Sequence, residues 1–144
     1  MKISKLILIV FVFLNIMLML SCAHGPSFVK EEKIPEQKGL VYLYRKGMAG
    51  ALVVPVISCN GKTFVSLKSG SYYPYFADPG KNFFSAQTES YTQVSVDVEP
   101  GETYYVRLRV GIGFFVGRPN LVLVDEAKGA NEIKGCKLQQ QEFH

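Results

Sequence analysis

The sequence contains no tryptophan and only two histidines, His24 and His144. One histidine lies before the first strand-like run and the other is the last residue, so neither is placed for a core to hold its ring rigid. A Ser-His-Asp or Cys-His arrangement needs an oriented imidazole, and the usual zinc sites need His or Cys ligands in numbers. No catalytic residue, metal or cofactor is therefore expected. Charge of one sign is also short. The formal charge of +4 falls to about +2 once the leader with Lys2 and Lys5 is set aside. No basic run tracks a phosphate backbone, which argues against nucleic acid as a partner. Gly111, Gly113 and Gly117 come close together, but their spacing is not that of a phosphate loop, and no Lys-Ser/Thr follows.

What the chain does have begins at its N-terminus. Lys2 and Lys5 precede an apolar run over Leu6–Leu20, broken only by Asn15. A basic start, a short apolar stretch and a small residue before a cut describe a secretory signal, and the run is short for a span of about 20 residues. Met19-Leu20-Ser21-Cys22 resembles the lipobox of bacterial lipoprotein precursors. The resemblance implies cleavage after residue 21 and lipid on Cys22, anchoring the chain stably to a membrane because each buried acyl CH₂ contributes about 0.8 kcal/mol. An ordinary cleaved signal and an uncleaved anchor helix are the plainer alternatives. Aspartate after the cysteine tends to retain such proteins in the inner membrane of diderm bacteria; Ala23 there implies the outer membrane more than the inner. Residues 22–38, with Gly25, Pro26 and Pro35 and no sustained periodicity, read as a flexible tether.

From Gly39 onward the hydropathy pattern has period two and is broken by frequent turn signals, as in an all-β sandwich or barrel. Strand-like runs cover Leu40–Arg45, Ala51–Ser58, Lys62–Leu67, Ser71–Phe76, Phe83–Thr88, Tyr91–Val98, Thr103–Ile112 and Asn120–Asp125. Pro55 and Pro74 argue for edges or bulges in their runs. Asn60-Gly61 is the strongest short hairpin signal, since both residues tolerate positive φ. Asp78-Pro79-Gly80 and Glu99-Pro100-Gly101-Glu102 turn the chain. Val94, Val96 and Val98 share one strand face and Gln93, Ser95 and Asp97 the other, so one side is buried and one is wet. Asp125–Lys134 forms a short helix or turn that Gly129 weakens. The expected architecture is a small antiparallel β-sandwich of seven or eight strands over residues 39–138, with a frayed tail over 139–144.

The segments Lys38-Gly39-Leu40-Val41-Tyr42-Leu43-Tyr44-Arg45, Asn60-Gly61-Lys62, Glu99-Pro100-Gly101-Glu102-Thr103-Tyr104-Tyr105-Val106-Arg107 and Gly113-Phe114-Phe115-Val116-Gly117-Arg118-Pro119 come in this order behind a lipoprotein signal. Together with Leu67–Tyr72 and Leu123–Glu126 they resemble the bacterial envelope family labelled domain of unknown function 2846. The resemblance covers nearly all of Gly39–Leu138. It implies an envelope location and a sandwich, and no activity.

With Cys22 spent on lipid, Cys59 and Cys136 remain as an even pair in an oxidising compartment. A disulfide between them is expected to contribute at most about 4.5 kcal/mol by loop entropy; two unpaired thiols are the alternative. Several side chains are candidates for a binding surface. Tyr73 and Tyr75 share one face of their strand and suit a stacking platform, or else cross-strand packing. Tyr105, Arg107 and Arg109 share another face, to meet acidic glycan or headgroups or simply to keep a sheet soluble. Phe114, Phe115 and Arg118 sit on a glycine-spaced loop that either turns inward or meets a partner. Asp97, Glu99, Glu102, Asp125 and Glu126 are candidates by residue type alone for a glycosidase pair, and solvated turn charges are the simpler expectation. The expected function is a lipid-anchored, non-catalytic envelope module that binds protein or glycan. A purely structural lipoprotein ranks second and a small cell-wall hydrolase third.

Overall fold

The Asn60-Gly61 signal marks a two-residue hairpin. Asn60 has φ 50° and Gly61 φ 81°, the left-handed pair that a type I′ turn requires. The hairpin joins β2 (Val56–Cys59) to β3 (Lys62–Ser66). These strands belong to a computed structural model that describes residues 7–13, 25–111 and 117–140. His24, Cys22, Phe114, Phe115 and His144 lie outside the described residues, as does most of the leader. Residues 7–13 are helical and exposed, and no described helix is long and apolar enough to cross a membrane.

The remaining strands are β1 (Gly39–Arg45), β4 (Ser71–Ala77), β5 (Gly80–Gln87), β6 (Tyr91–Val98), β7 (Thr103–Gly111), β8 (Arg118–Val124) and β9 (Lys137–Leu138). The helix α1 (Glu126–Glu132) and a 3₁₀ turn (Ile133–Gly135) lie between β8 and β9. The chain is mostly β, in a five-stranded sheet of order β8-β7-β1-β4-β9 and a four-stranded sheet of order β3-β2-β5-β6. The sheets pack face to face over Val41, Leu43, Val106 and Leu108 from one and Ile57, Phe84, Ala86 and Val96 from the other.

The nine strands found among the described residues exceed the seven or eight expected, and the five-stranded sheet is mixed. Its central β1 is antiparallel to β4 but parallel to β7, and β9 is parallel to β4. Every residue of β1 is buried, which is why its sequence reads as an unbroken apolar run instead of an alternation. Pro119 sits in edge strand β8, and Pro74 in β4 beyond the reach of β9, which pairs only with Ser71 and Tyr72; both are positions where a missing N–H leaves no ladder bond unmade.

The strand expected over Ala51–Ser58 shrinks to Val56–Cys59. Its first half is a loop held by Arg45. That guanidinium is 1% exposed and donates to the carbonyls of Val53 (2.6 Å), Gly50 (2.7 Å), Ala49 (3.0 Å) and Leu67 (3.4 Å). Carbonyls held this way cannot join a ladder, and burial lowers the Arg45 pKa.

A third layer covers the central part of the outer face of the five-stranded sheet, around β1. Leu40, Tyr42, Tyr44, Tyr72 and Tyr105 point into it, under Ile133 and Cys136, with Phe28, Ile34 and Leu138 packed around them. Two expectations change here. Residues 25–38, read as a flexible tether, lie on the domain. Phe28 donates its N–H to Cys136 O at 3.1 Å, its ring meets those of Tyr42 and Tyr72 edge-on at 5.4 and 5.0 Å, and the Glu31 N–H donates to the Tyr42 hydroxyl at 2.7 Å. The tail does not fray at its start. Gln139 is buried, its N–H bonds Tyr72 O at 2.8 Å, and its side chain accepts from Lys68 N–H. Apolar side chains spaced along a Pro-broken segment carry no periodic signal, so this docking is not visible as a pattern.

Candidate functional site

The expected aromatic platform is not where alternation alone placed it. Tyr73 and Tyr75 face the core between the sheets. The Tyr75 ring lies 4.3 Å from that of Phe64 and 5.6 Å from that of Phe84. Burial is the first cause that lifts the Tyr75 hydroxyl to about 12. On the other face of β4, Tyr72 is buried in the outer core. Tyr72 is buried, and Tyr73 and Tyr75 are half-buried with their rings packed on Phe64, so neither row of tyrosines presents an open ring face.

Tyr105 and Arg107 are corrected in the same way. Tyr105 is 2% exposed and stacks on Tyr42 at 5.5 Å. The helix lies directly on it. A Cβ at Gly129 would stand 2.3 Å from Tyr105 Cγ, so glycine in the middle of α1 permits the contact instead of merely weakening the helix. Asp125 caps α1 by accepting from the Lys128 N–H at 2.9 Å. Arg107 donates to both Glu132 oxygens at 2.9 and 3.0 Å, and Tyr44 donates its hydroxyl to Glu132 Oε2 at 2.6 Å. The Tyr44 hydrogen bond first, and Arg107 after it, hold the Glu132 carboxyl below its ordinary range. This cluster ties the end of α1 to β1 and β7. Arg109 and Arg118 remain exposed.

The expected disulfide is absent. Cys59 and Cys136 are free and buried. Cys59 belongs to the core between the sheets, while Cys136 belongs to the core on the opposite face of β1, so the five-stranded sheet separates them. The Cys59 thiol meets Asn82 Oδ1 at 3.7 Å and the Cys136 thiol meets Arg45 O at 3.9 Å. Burial raises both thiols, Cys136 to about 11, which suppresses the nucleophilic thiolate. Among the described residues, no group of three or more His, Cys, Asp and Glu could hold a metal ion.

One broad polar face stays uncovered: the outer side of the four-stranded sheet. Register aligns Ser58 with Thr63 on one side and with Ser85 on the other, and Ser85 in turn with Gln93. The Ser58 and Thr63 hydroxyls are 3.0 Å apart. The next row on that face is Val56, Gln87 and Tyr91, and Phe83 lies opposite Ser95. Phe83 is 42% exposed and Tyr91 61%. Ser85 is buried at the centre of this face and Ser58 half-buried, so the accessible hydroxyls and amides are those of Thr63, Gln87, Gln93 and Ser95. Flanked by two accessible rings, they can hydrogen-bond and stack a flat polar partner. Alternation in β6 foretold this wet face; the exposed Phe83 was hidden because β5 carries Phe83 and Phe84 in succession, and either ring is a plausible core residue.

Comparison with known proteins adds no relative: no family model, curated protein or solved structure matches the chain.

Proposed function

We propose that this chain is a lipid-anchored, non-catalytic lipoprotein of the bacterial cell envelope, with outer-membrane placement favoured over inner, whose domain binds a protein or glycan through the outer face of the four-stranded sheet. The lipobox-like Met19–Cys22 and Ala23 support the anchor and the membrane. The resemblance to the envelope family of unknown function 2846 supports the location on the residues quoted above and brings no activity with it. The observation that carries the binding reading is the inequality of the two sheets. The larger one is covered on both faces at its centre, around β1, and opens toward its β8 edge, at Arg109, Asn120 and Leu123. The smaller leaves Tyr91, Phe83, Gln87, Gln93 and Ser95 in solvent across its outer face. A purely structural lipoprotein, the second reading, has no use for that face.

The test places a photo-crosslinking residue at Gln93, on the bare face, or at Lys128, on the exposed side of α1, in the full chain expressed in a diderm bacterium. A discrete adduct from Gln93 and none from Lys128 supports the reading. Adducts from Lys128 alone, or from neither position, favour the structural one. In the same cells, Cys22→Ala releases the chain from the membrane fraction if the cysteine carries the anchor.

A further inference from the structure

The two ends of the sandwich differ in chemistry. β1 and β7 run parallel, so the segments that follow Arg45 and Gly111 leave from one end. The Thr88 hydroxyl donates to Gly117 O at 3.1 Å, which brings the β5–β6 turn to that end as well. Met48 is 64% exposed and Leu52 73%, the highest exposure of any large apolar side chain among the described residues. Val54 is exposed in the same loop. Arg45 grips the carbonyls of Ala49, Gly50 and Val53 from below, so Leu52 is displayed on a braced loop, which keeps the ordering cost of presenting it low.

Charge follows the same division. Lys46, Arg118, Lys134 and Lys137 are exposed at or beside this end, and Glu89 is the acidic residue of its loops. At the opposite end the turns carry Asp78, Glu99, Glu102, Asp125 and Glu126, offset by Lys38, which pairs with Asp78, by Lys62, and by Lys81, which lies across from Asp97; acidic residues still outnumber basic ones there.

The entry of the chain points to the same end. Gly25 lies against Leu138, where a Cβ would stand 1.8 Å from the Leu138 carbonyl oxygen. Leu138 pairs with Tyr72, one residue from the Ser71–Arg45 end of the sheet and five from the Ala77–Gly39 end. Five strand residues measure about 16 Å. Cys22 is three residues before Gly25 in sequence, and three residues reach at most about 10 Å. The basic, apolar end is within that reach and the acidic end is not.

We propose that this end, with Leu52 and Met48 as its apolar contacts and Lys46, Arg118 and Lys137 as its charges, rests on an anionic lipid surface and stands the domain upright on the membrane. The inference rests on the lipid-anchor reading for the direction of approach, and it leaves the bare face of the four-stranded sheet turned along the membrane and open to a partner. Basic side chains near an anionic surface and apolar side chains at the headgroup boundary are attracted by separate forces that act together here.

The missing tryptophan provides a clean probe, because any introduced indole is the only one. The full chain carrying Leu52→Trp or, at the opposite end, Glu102→Trp is reconstituted in phosphatidylcholine vesicles with and without phosphatidylglycerol, and indole quenching by brominated lipid is read. Quenching of Leu52→Trp but not Glu102→Trp is expected. It should strengthen with phosphatidylglycerol and weaken by about fivefold in the equilibrium for each charge removed among Lys46→Gln, Arg118→Gln and Lys137→Gln. Equal quenching at both ends, or none at Leu52→Trp, overturns the proposal. So does shielding of Leu52→Trp from aqueous iodide without lipid quenching, which assigns the patch to a second copy of the chain. The mass of the membrane-extracted chain reports lipid on Cys22 separately. A lipidated chain with no quenching at Leu52→Trp defeats this inference alone, and an unlipidated chain that is still quenched there defeats the anchor reading alone.

Discussion

The two sheets of this domain use similar residues to opposite ends. β1, in the five-stranded sheet, buries both of its faces: Val41 and Leu43 meet the other sheet while Leu40, Tyr42 and Tyr44 lie under α1 and the N-terminal segment. β6, in the four-stranded sheet, buries Val96 and Val98 and leaves Gln93, Ser95 and Asp97 exposed. A strand covered twice cannot present a ligand surface however aromatic it is. The difference locates the scaffold in one sheet and the free face in the other, and it explains why the tyrosines with the strongest appeal in the sequence are structural.

The comparison can be broken most forcefully in the outer core. Tyr42→Ala removes a ring that meets Phe28, Tyr72 and Tyr105, and chemical denaturation should show a loss of about 3–5 kcal/mol. Glu132→Ala strands Arg107 and Tyr44 beneath α1 and is expected to cost about 3 kcal/mol. Its pH dependence has a definite sign. The folded carboxyl titrates below its ordinary value, so its stabilisation is complete above the unfolded range near about pH 4.3 and is lost as pH falls through the lower folded value. The stability gap between the parent chain and Glu132→Gln, measured by urea unfolding, should therefore narrow on acidification; a gap that widens contradicts the assignment. Gly129→Ala should destabilise by about 2 kcal/mol through overpacking on Tyr105, although alanine is the better helix former. The smallest effect belongs to the bare face: Ser95→Lys should change stability by no more than about 0.5 kcal/mol while abolishing the crosslinked adduct formed from Gln93.

Much of this is legible in the amino-acid sequence. The Asn60-Gly61 hairpin, the alternation of β6 and the turn at Glu99–Glu102 each carry a local physical signal, and each forms as read. What was hidden depends on a third layer. Period-two patterning says that Tyr105 and Arg107 share a face, but not that a helix whose central glycine admits the Tyr105 ring lies over it. Nor does composition reveal that residues 25–38 dock by a few spaced contacts such as Phe28 and Ile34. The free cysteines have the same origin, since their separation by β1 is a property of layering and not of spacing. The lipobox-like Met19–Cys22 and the aromatic residues at 114 and 115 lie outside the described residues.

Hydroxyl-radical footprinting of the folded full chain, read residue by residue by mass spectrometry, tests the unequal covering of the two sheets most directly. Tyr91 and Phe83 should oxidise rapidly, while Tyr42, Tyr72 and Tyr105 stay protected until the chain unfolds. Rapid oxidation of the outer-core tyrosines in the folded chain, at rates matching Tyr91, would mean that the third layer does not seal the five-stranded sheet and would contradict the account.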